Sequence, residues 1–86
     1  MYSIHIEKRC LRELKRLDRQ VVRRAFRVIR ETLAANPHAG KRLKGRYAGL
    51  YSYRVADYRI VYEIVSDELR IVVLRIRHRR DVYEGL

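Results

Sequence analysis

The 86-residue chain carries 21 Lys and Arg against 10 Asp and Glu, a formal net charge of +11, and is 48% hydrophobic. That length holds one domain, residues 1–86, and the apolar content excludes a disordered basic tail. With Cys10 as the sole cysteine there is no intrachain disulfide or cysteine metal site, and His5, His38 and His78 lack ligand spacing, so no metal or other cofactor is expected.

The N-terminus lacks the apolar run of a signal peptide, and no stretch approaches transmembrane length. A cytoplasmic location and no membrane partner are expected. Residues 2–6 predict a strand, with Tyr2, Ile4 and Ile6 alternating against Ser3 and His5. Residues 8–17 predict a helix in which Cys10, Leu11, Leu14 and Leu17 recur at spacings of three and four, opposite a face of Lys8, Arg9, Arg12, Lys15 and Arg16. Asp18 is the candidate N-cap of a second helix over 19–35. Its apolar stripe is Val22, Ala25, Phe26, Ile29 and Leu33, and Arg19, Arg23, Arg27 and Arg30 form an outer stripe read as its solvated face. Asn36-Pro37 stops that helix. A basic loop spans 36–47, and three strands follow at about 49–55, 58–65 and 69–77. Their short connections predict an antiparallel meander. The fold class is therefore α+β: an N-terminal strand and two antiparallel helices packed on an antiparallel sheet that ends in the three-stranded meander.

Seventeen of the 21 cations are arginine. Guanidinium forms forked contacts with phosphate and stacks on bases, which points to a polyanion partner, nucleic acid first. A two-residue loop at Ala56-Asp57 sets Arg54 opposite Arg59. A three-residue loop at Ser66-Asp67-Glu68 sets Arg59 opposite Arg75. Alternation then puts Arg54, Arg59, Arg75 and Arg77 on one face, and Tyr53, Val55, Tyr58, Ile60, Tyr62, Ile64, Val72, Leu74 and Ile76 on the face toward the helices. Like charges directly across strands destabilise by roughly 0.2–1 kcal/mol per pair. Such a row calls for a compensating anion: a phosphate, an acidic partner peptide, or water around splayed side chains. Fixed guanidiniums also suit a phosphoryl-transfer transition state. Lys41, Arg42, Lys44 and Arg46 lie on the loop, where binding residues concentrate. His78 reads as a surface residue at a strand end, and Tyr83 as either a phosphate or base contact or a tail anchor.

The runs Leu43-Lys44-Gly45, Gly49-Leu50-Tyr51-Ser52-Tyr53-Arg54-Val55, Asp57-Tyr58-Arg59-Ile60-Val61-Tyr62-Glu63-Ile64 and Ile76-Arg77-His78-Arg79-Arg80-Asp81-Val82-Tyr83 resemble the RelE/ParE toxin superfamily, and within it the RelE branch. The resemblance spans nearly the whole chain. It implies a RelE-like fold and a metal-independent endoribonuclease that cuts mRNA in the ribosomal A site and is neutralised by a cognate RelB-like antitoxin. Position by position it implies catalytic roles for Arg54, Arg59, Arg79 and Tyr83. RNA-binding roles are expected for Lys41, Lys44, Arg46, Arg75, Arg77 and Arg80, with the ribosome and mRNA as partners. Ser52 and Arg54 stand where the best-known members carry lysines, and guanidinium is a poor general base. The alternatives are a ParE-like gyrase poison without nuclease activity and a non-catalytic RNA-binding module.

Overall fold

Five strands make one sheet in the order β1-β5-β4-β3-β2 in a computed structural model that describes residues 1–86. β1 is Ser3–Ile6, β2 Lys41–Arg42, β3 Leu50–Val55, β4 Tyr58–Val65 and β5 Arg70–His78. Helix α1 is Lys8–Leu14 and α2 is Arg19–Val28, prolonged by a wide turn at Ile29–Leu33. No helix is long and apolar enough to cross a membrane.

The helices form where the apolar spacing places them, but both are shorter than the pattern. α1 ends at Leu14 and does not reach Leu17. Asp18 caps α2, its Oδ1 accepting from the Gln20 N–H at 2.7 Å. Beyond Val28 the backbone widens to π geometry, with the Ala34 N–H bonding the Ile29 carbonyl at 2.9 Å. That turn keeps Ile29 and Leu33 buried before Pro37 ends the segment. The principal core joins Cys10, Leu14, Ala25, Ile29 and Leu33 to Val55, Ile60, Tyr62, Ile71, Val73 and Ile76 from the sheet.

The sheet is mixed, because β1 runs parallel to β5, with Ile4 opposite Ile71 and Ile6 opposite Val73. β1 reaches the sheet through helices and not through a hairpin, so no local turn imposes its direction. The predicted loop 36–47 contains the short strand β2, which pairs with β3. Tyr62 anchors the start of this segment: its buried hydroxyl donates to the Pro37 carbonyl at 2.6 Å and accepts from the Gly40 N–H at 3.1 Å.

The meander forms, with two departures in β5. The β4–β5 loop runs to Leu69, which takes a left-handed φ of 49°, and Val65 pairs with Arg70. A bulge then leaves Leu74 unpaired, between Val61↔Arg75 and Tyr62↔Val73. One extra loop residue turns Ile71 and Val73 toward the helices, so Val72 and Leu74 face away from them. The bulge reverses the alternation and restores Ile76 to the core and Arg75 and Arg77 to the other face. The Arg54–Arg59 pairing is as the hairpin predicts, but Arg59 lies opposite Arg77, two residues beyond Arg75.

Candidate cationic site on the open sheet face

Arg54, Arg59 and Arg77 form a row across β3, β4 and β5, on the face turned from the helices. The two-residue turn at Ala56-Asp57 creates the first pairing, Ala56 supplying the left-handed φ of 54° that a tight hairpin needs. Each arginine is held apart from the next. Arg54 Nε donates to the Ala56 carbonyl at 3.0 Å. Arg59 Nη1 donates to Ser52 Oγ at 3.2 Å. Arg77 Nη2 pairs with Glu13 Oε2 of α1 at 3.0 Å. That acid is invisible in the strand pattern, because only tertiary packing carries α1 along the second half of β5. The unneutralised charge of the row is therefore that of Arg54 and Arg59.

The next row toward the sheet edge is Lys41, Ser52, Val61 and Arg75. Lys41 is exposed and Ser52 is 1% exposed, so the lysine flanks the Arg59–Ser52 contact from the edge strand. Arg75 does not belong to an exposed RNA-binding surface. It is 2% exposed, and its guanidinium donates to the carbonyls of Val82 and Glu84. Burial, and the Arg77 charge beside it, lower its pKa from the ordinary guanidinium value.

The C-terminal residues fold back in a series of turns over this face. The Arg79 N–H bonds the Asp57 carbonyl at 2.8 Å, which brings Arg79 and Arg80, both exposed, beside the Arg54–Arg59 hairpin. Val82 is fully buried and Tyr83 half-buried. The Tyr83 ring lies 5.3 Å from that of Tyr47, whose hydroxyl donates to the Tyr83 carbonyl at 3.3 Å. Arg46 covers the Tyr47 ring at 5.8 Å, and Lys44 is exposed just before it. Tyr47 joins the expected residues here, and its signal in the sequence is that of an aromatic ending a basic loop, a pattern suited to base stacking. His78 packs edge-on against Tyr58 at 5.4 Å and accepts from the Arg80 N–H at 3.2 Å, in keeping with a strand-end role.

A cleft of about 410 Å³ lies elsewhere, between α1 and the tail. It mixes Glu13, Asp81 and Glu84 with Arg16 and Arg77. Its three carboxylates make it less suited to phosphate than the open arginine face. That face combines fixed guanidiniums, exposed cations from β2 and the turn that follows it, and a paired aromatic platform. It suits a single strand laid across it, with phosphate at the arginines and a base at the tyrosines.

Residues 4–83 match the family model described as the ParE toxin of type II toxin–antitoxin systems, parDE. Toxin RelE of Mycobacterium tuberculosis is 32% identical over 83 residues, covering 95% of this chain and 86% of that protein. Toxin RelG of the same organism is 29% identical over 83 residues, covering 95% of each. Among solved structures, the toxin–antitoxin complex RelBE2 of M. tuberculosis superimposes with a TM-score of 0.85 at 28% identity, covering 91% of this chain and 98% of that one.

Proposed function

The chain belongs to the ParE/RelE toxin family of type II toxin–antitoxin systems, and on that premise we propose that it is a ribosome-dependent endoribonuclease cutting mRNA in the ribosomal A site. The observation that carries this reading is the Arg54–Arg59 pair: two cations on directly opposed positions, one locked to Ser52 and neither paired with an acid. In the reaction the 2′-oxygen of a ribose attacks the adjacent phosphorus and loses its proton. The bond from phosphorus to the 5′-oxygen breaks, and that oxygen gains a proton. The products are a 2′,3′-cyclic phosphate and a 5′-hydroxyl end. Arg59 and Arg54 stabilise the charge that builds on the phosphate oxygens, Arg79 approaches from the tail, and Tyr83 contacts phosphate or base. Lys41, Lys44, Arg46 and Arg80 hold the flanking strand, while Arg77 contributes less because Glu13 neutralises it. The protein acts through positioning and electrostatics, and the ribosome supplies substrate orientation.

A cognate RelB-like antitoxin is the expected regulator, since the similar RelBE2 structure is a toxin–antitoxin complex. The matched family model, described as a ParE toxin, favours one second reading, a gyrase poison. Purified toxin added to ribosomes carrying a defined mRNA, with the new ends mapped, tests the proposal. Cuts within the A-site codon support it. Intact mRNA together with gyrase-dependent DNA breaks would shift the assignment to the second reading, and intact mRNA and DNA with retained RNA binding to a non-catalytic module.

A further inference from the structure

From the tail contacts, we infer that Arg75 is a positioning residue whose buried guanidinium clasps the C-terminal tail and sets Tyr83 against Tyr47 in the cationic site. Arg75 Nη1 donates to the Val82 carbonyl at 2.9 Å and also to the Glu84 carbonyl, so the two bonds bracket Tyr83. The tail's backbone–backbone hydrogen bonds beyond Arg80 are all short-range: Asp81 to His78, Glu84 to Asp81 and Leu86 to Tyr83. Only Arg75, and the Tyr47 hydroxyl on the Tyr83 carbonyl, tie residues 81–86 to the body by hydrogen bonds. The side chain that does this is 2% exposed and pairs with no carboxylate.

Burying a cation with no carboxylate in contact, Glu13 acting on it only from a distance, is unfavourable, and an apolar side chain would be buried there at lower cost. A guanidinium adds direction that an apolar contact lacks. The two N–H bonds of Nη1 lie in the rigid guanidinium plane, so they fix where two carbonyls sit, and hence the backbone orientation of the residue between them. The Tyr83 ring then reaches Tyr47 from a tail that has little regular structure of its own. Arg75 thus contributes to the site without being able to touch RNA.

The test compares Arg75→Met and Arg75→Lys with the unaltered toxin in two readouts. The first is amide hydrogen exchange across residues 79–86 and the core strands, with NMR contacts between the Tyr47 and Tyr83 rings. Arg75→Met is expected to lose tail protection and the ring contacts while β4 and β5 stay protected. Arg75→Lys, which keeps the buried charge, should lie between, and it carries the test if Arg75→Met fails to fold. The second readout, which rests on the nuclease reading, is cleavage kinetics. Arg75→Met should lower kcat by about 10- to 100-fold, the scale of a small misplacement, with KM for programmed ribosomes little changed. In a Tyr83→Ala background the same change should have no further effect. A tail as protected as in the unaltered toxin, or losses at Arg75 and Tyr83 that multiply, would overturn the inference. If the unaltered toxin cuts no mRNA, the functional reading fails, and hydrogen exchange alone still decides the role of Arg75.

Discussion

Arg59 reaches past its direct partner Arg54 to donate to Ser52 Oγ at 3.2 Å, so the guanidinium is aimed along β3 and away from the like charge opposite it. Arg59→Ala opens no cavity in the apolar core but leaves the buried Ser52 hydroxyl without its partner, a loss of roughly 1–3 kcal/mol that relief of the Arg54 repulsion offsets by roughly 0.2–1 kcal/mol. Cleavage should fall by about 100- to 1,000-fold, the usual effect of removing one transition-state donor. Arg23→Ala, on the exposed side of α2, is the control and should cleave normally. Rates on programmed ribosomes and melting temperatures of both variants check this. An unfolded or fully active Arg59→Ala would mean that the site lies elsewhere.

The Arg77–Glu13 pair is partly buried, with side-chain exposures of 32% and 21%, so its loss should be felt in stability more than in catalysis. Glu13→Gln leaves Arg77 without its acid and should destabilise by about 1–2 kcal/mol, between the values for exposed and buried pairs. Arg77→Ala should reduce cleavage far less than Arg59→Ala. Urea unfolding and cleavage assays on the two variants read these effects separately.

Gly40 has no room for a side chain. A Cβ there would collide with the Tyr62 hydroxyl and sit 3.1 Å from the Ser52 carbonyl. Gly40→Ala should break the Tyr62 bonds to Pro37 and Gly40 and lower stability by roughly 1–3 kcal/mol, the penalty for stranding buried polar groups. Because β2 begins at the next residue, Lys41 should lose its register opposite Ser52. Thermal melts and weakened RNA crosslinking at Lys41 are the measurements.

Alkaline pH should unfold the protein through two buried acids. Burial pushes the Cys10 thiol from 9.0 up to about 11 and the Tyr62 hydroxyl from 10.0 up to about 12. The unfolded chain releases these protons at lower pH than the folded one. The contribution of these two groups is therefore constant below about pH 9 and falls as pH rises through 9–11 for Cys10 and 10–12 for Tyr62. Each contribution is on the order of 2 kcal/mol. Urea midpoints measured from pH 8 upward should show the decline. Cys10→Ala should flatten its lower part and Tyr62→Phe its upper part, and parallel curves for all three proteins would exclude these groups as the cause.

Ribosome binding should weaken steeply with ionic strength, because every phosphate neutralised by the +11 chain releases counterions. Affinity across a salt series gives the slope. Lys41→Ala and Lys44→Ala should each reduce it, whereas a flat response would make the basic surface incidental.

Local pattern alone was sufficient for the helices, the Asp18 cap and the meander, because apolar periodicity and turn residues act over a few neighbours. The same locality revealed the Arg54–Arg59 pair, which a two-residue turn dictates. The helices start where the pattern places them, at Lys8 and Arg19, and only their C-terminal ends were less legible. The wide turn at Ile29–Leu33 forms because the core demands those side chains, and intrinsic propensity does not announce it.

Long-range packing alone settles the residues whose partners are remote in sequence. β5 follows a longer loop and then a bulge, two one-residue shifts that no alternation pattern distinguishes, so Arg77 rather than Arg75 meets Arg59. Glu13 reaches Arg77 because α1 lies along β5 beyond the end of β1, and Arg75 is buried because the tail returns over it. An arginine's charge is a property of its residue type. Whether that charge is free, paired with an acid or enclosed by carbonyls depends on which distant segments fold against it.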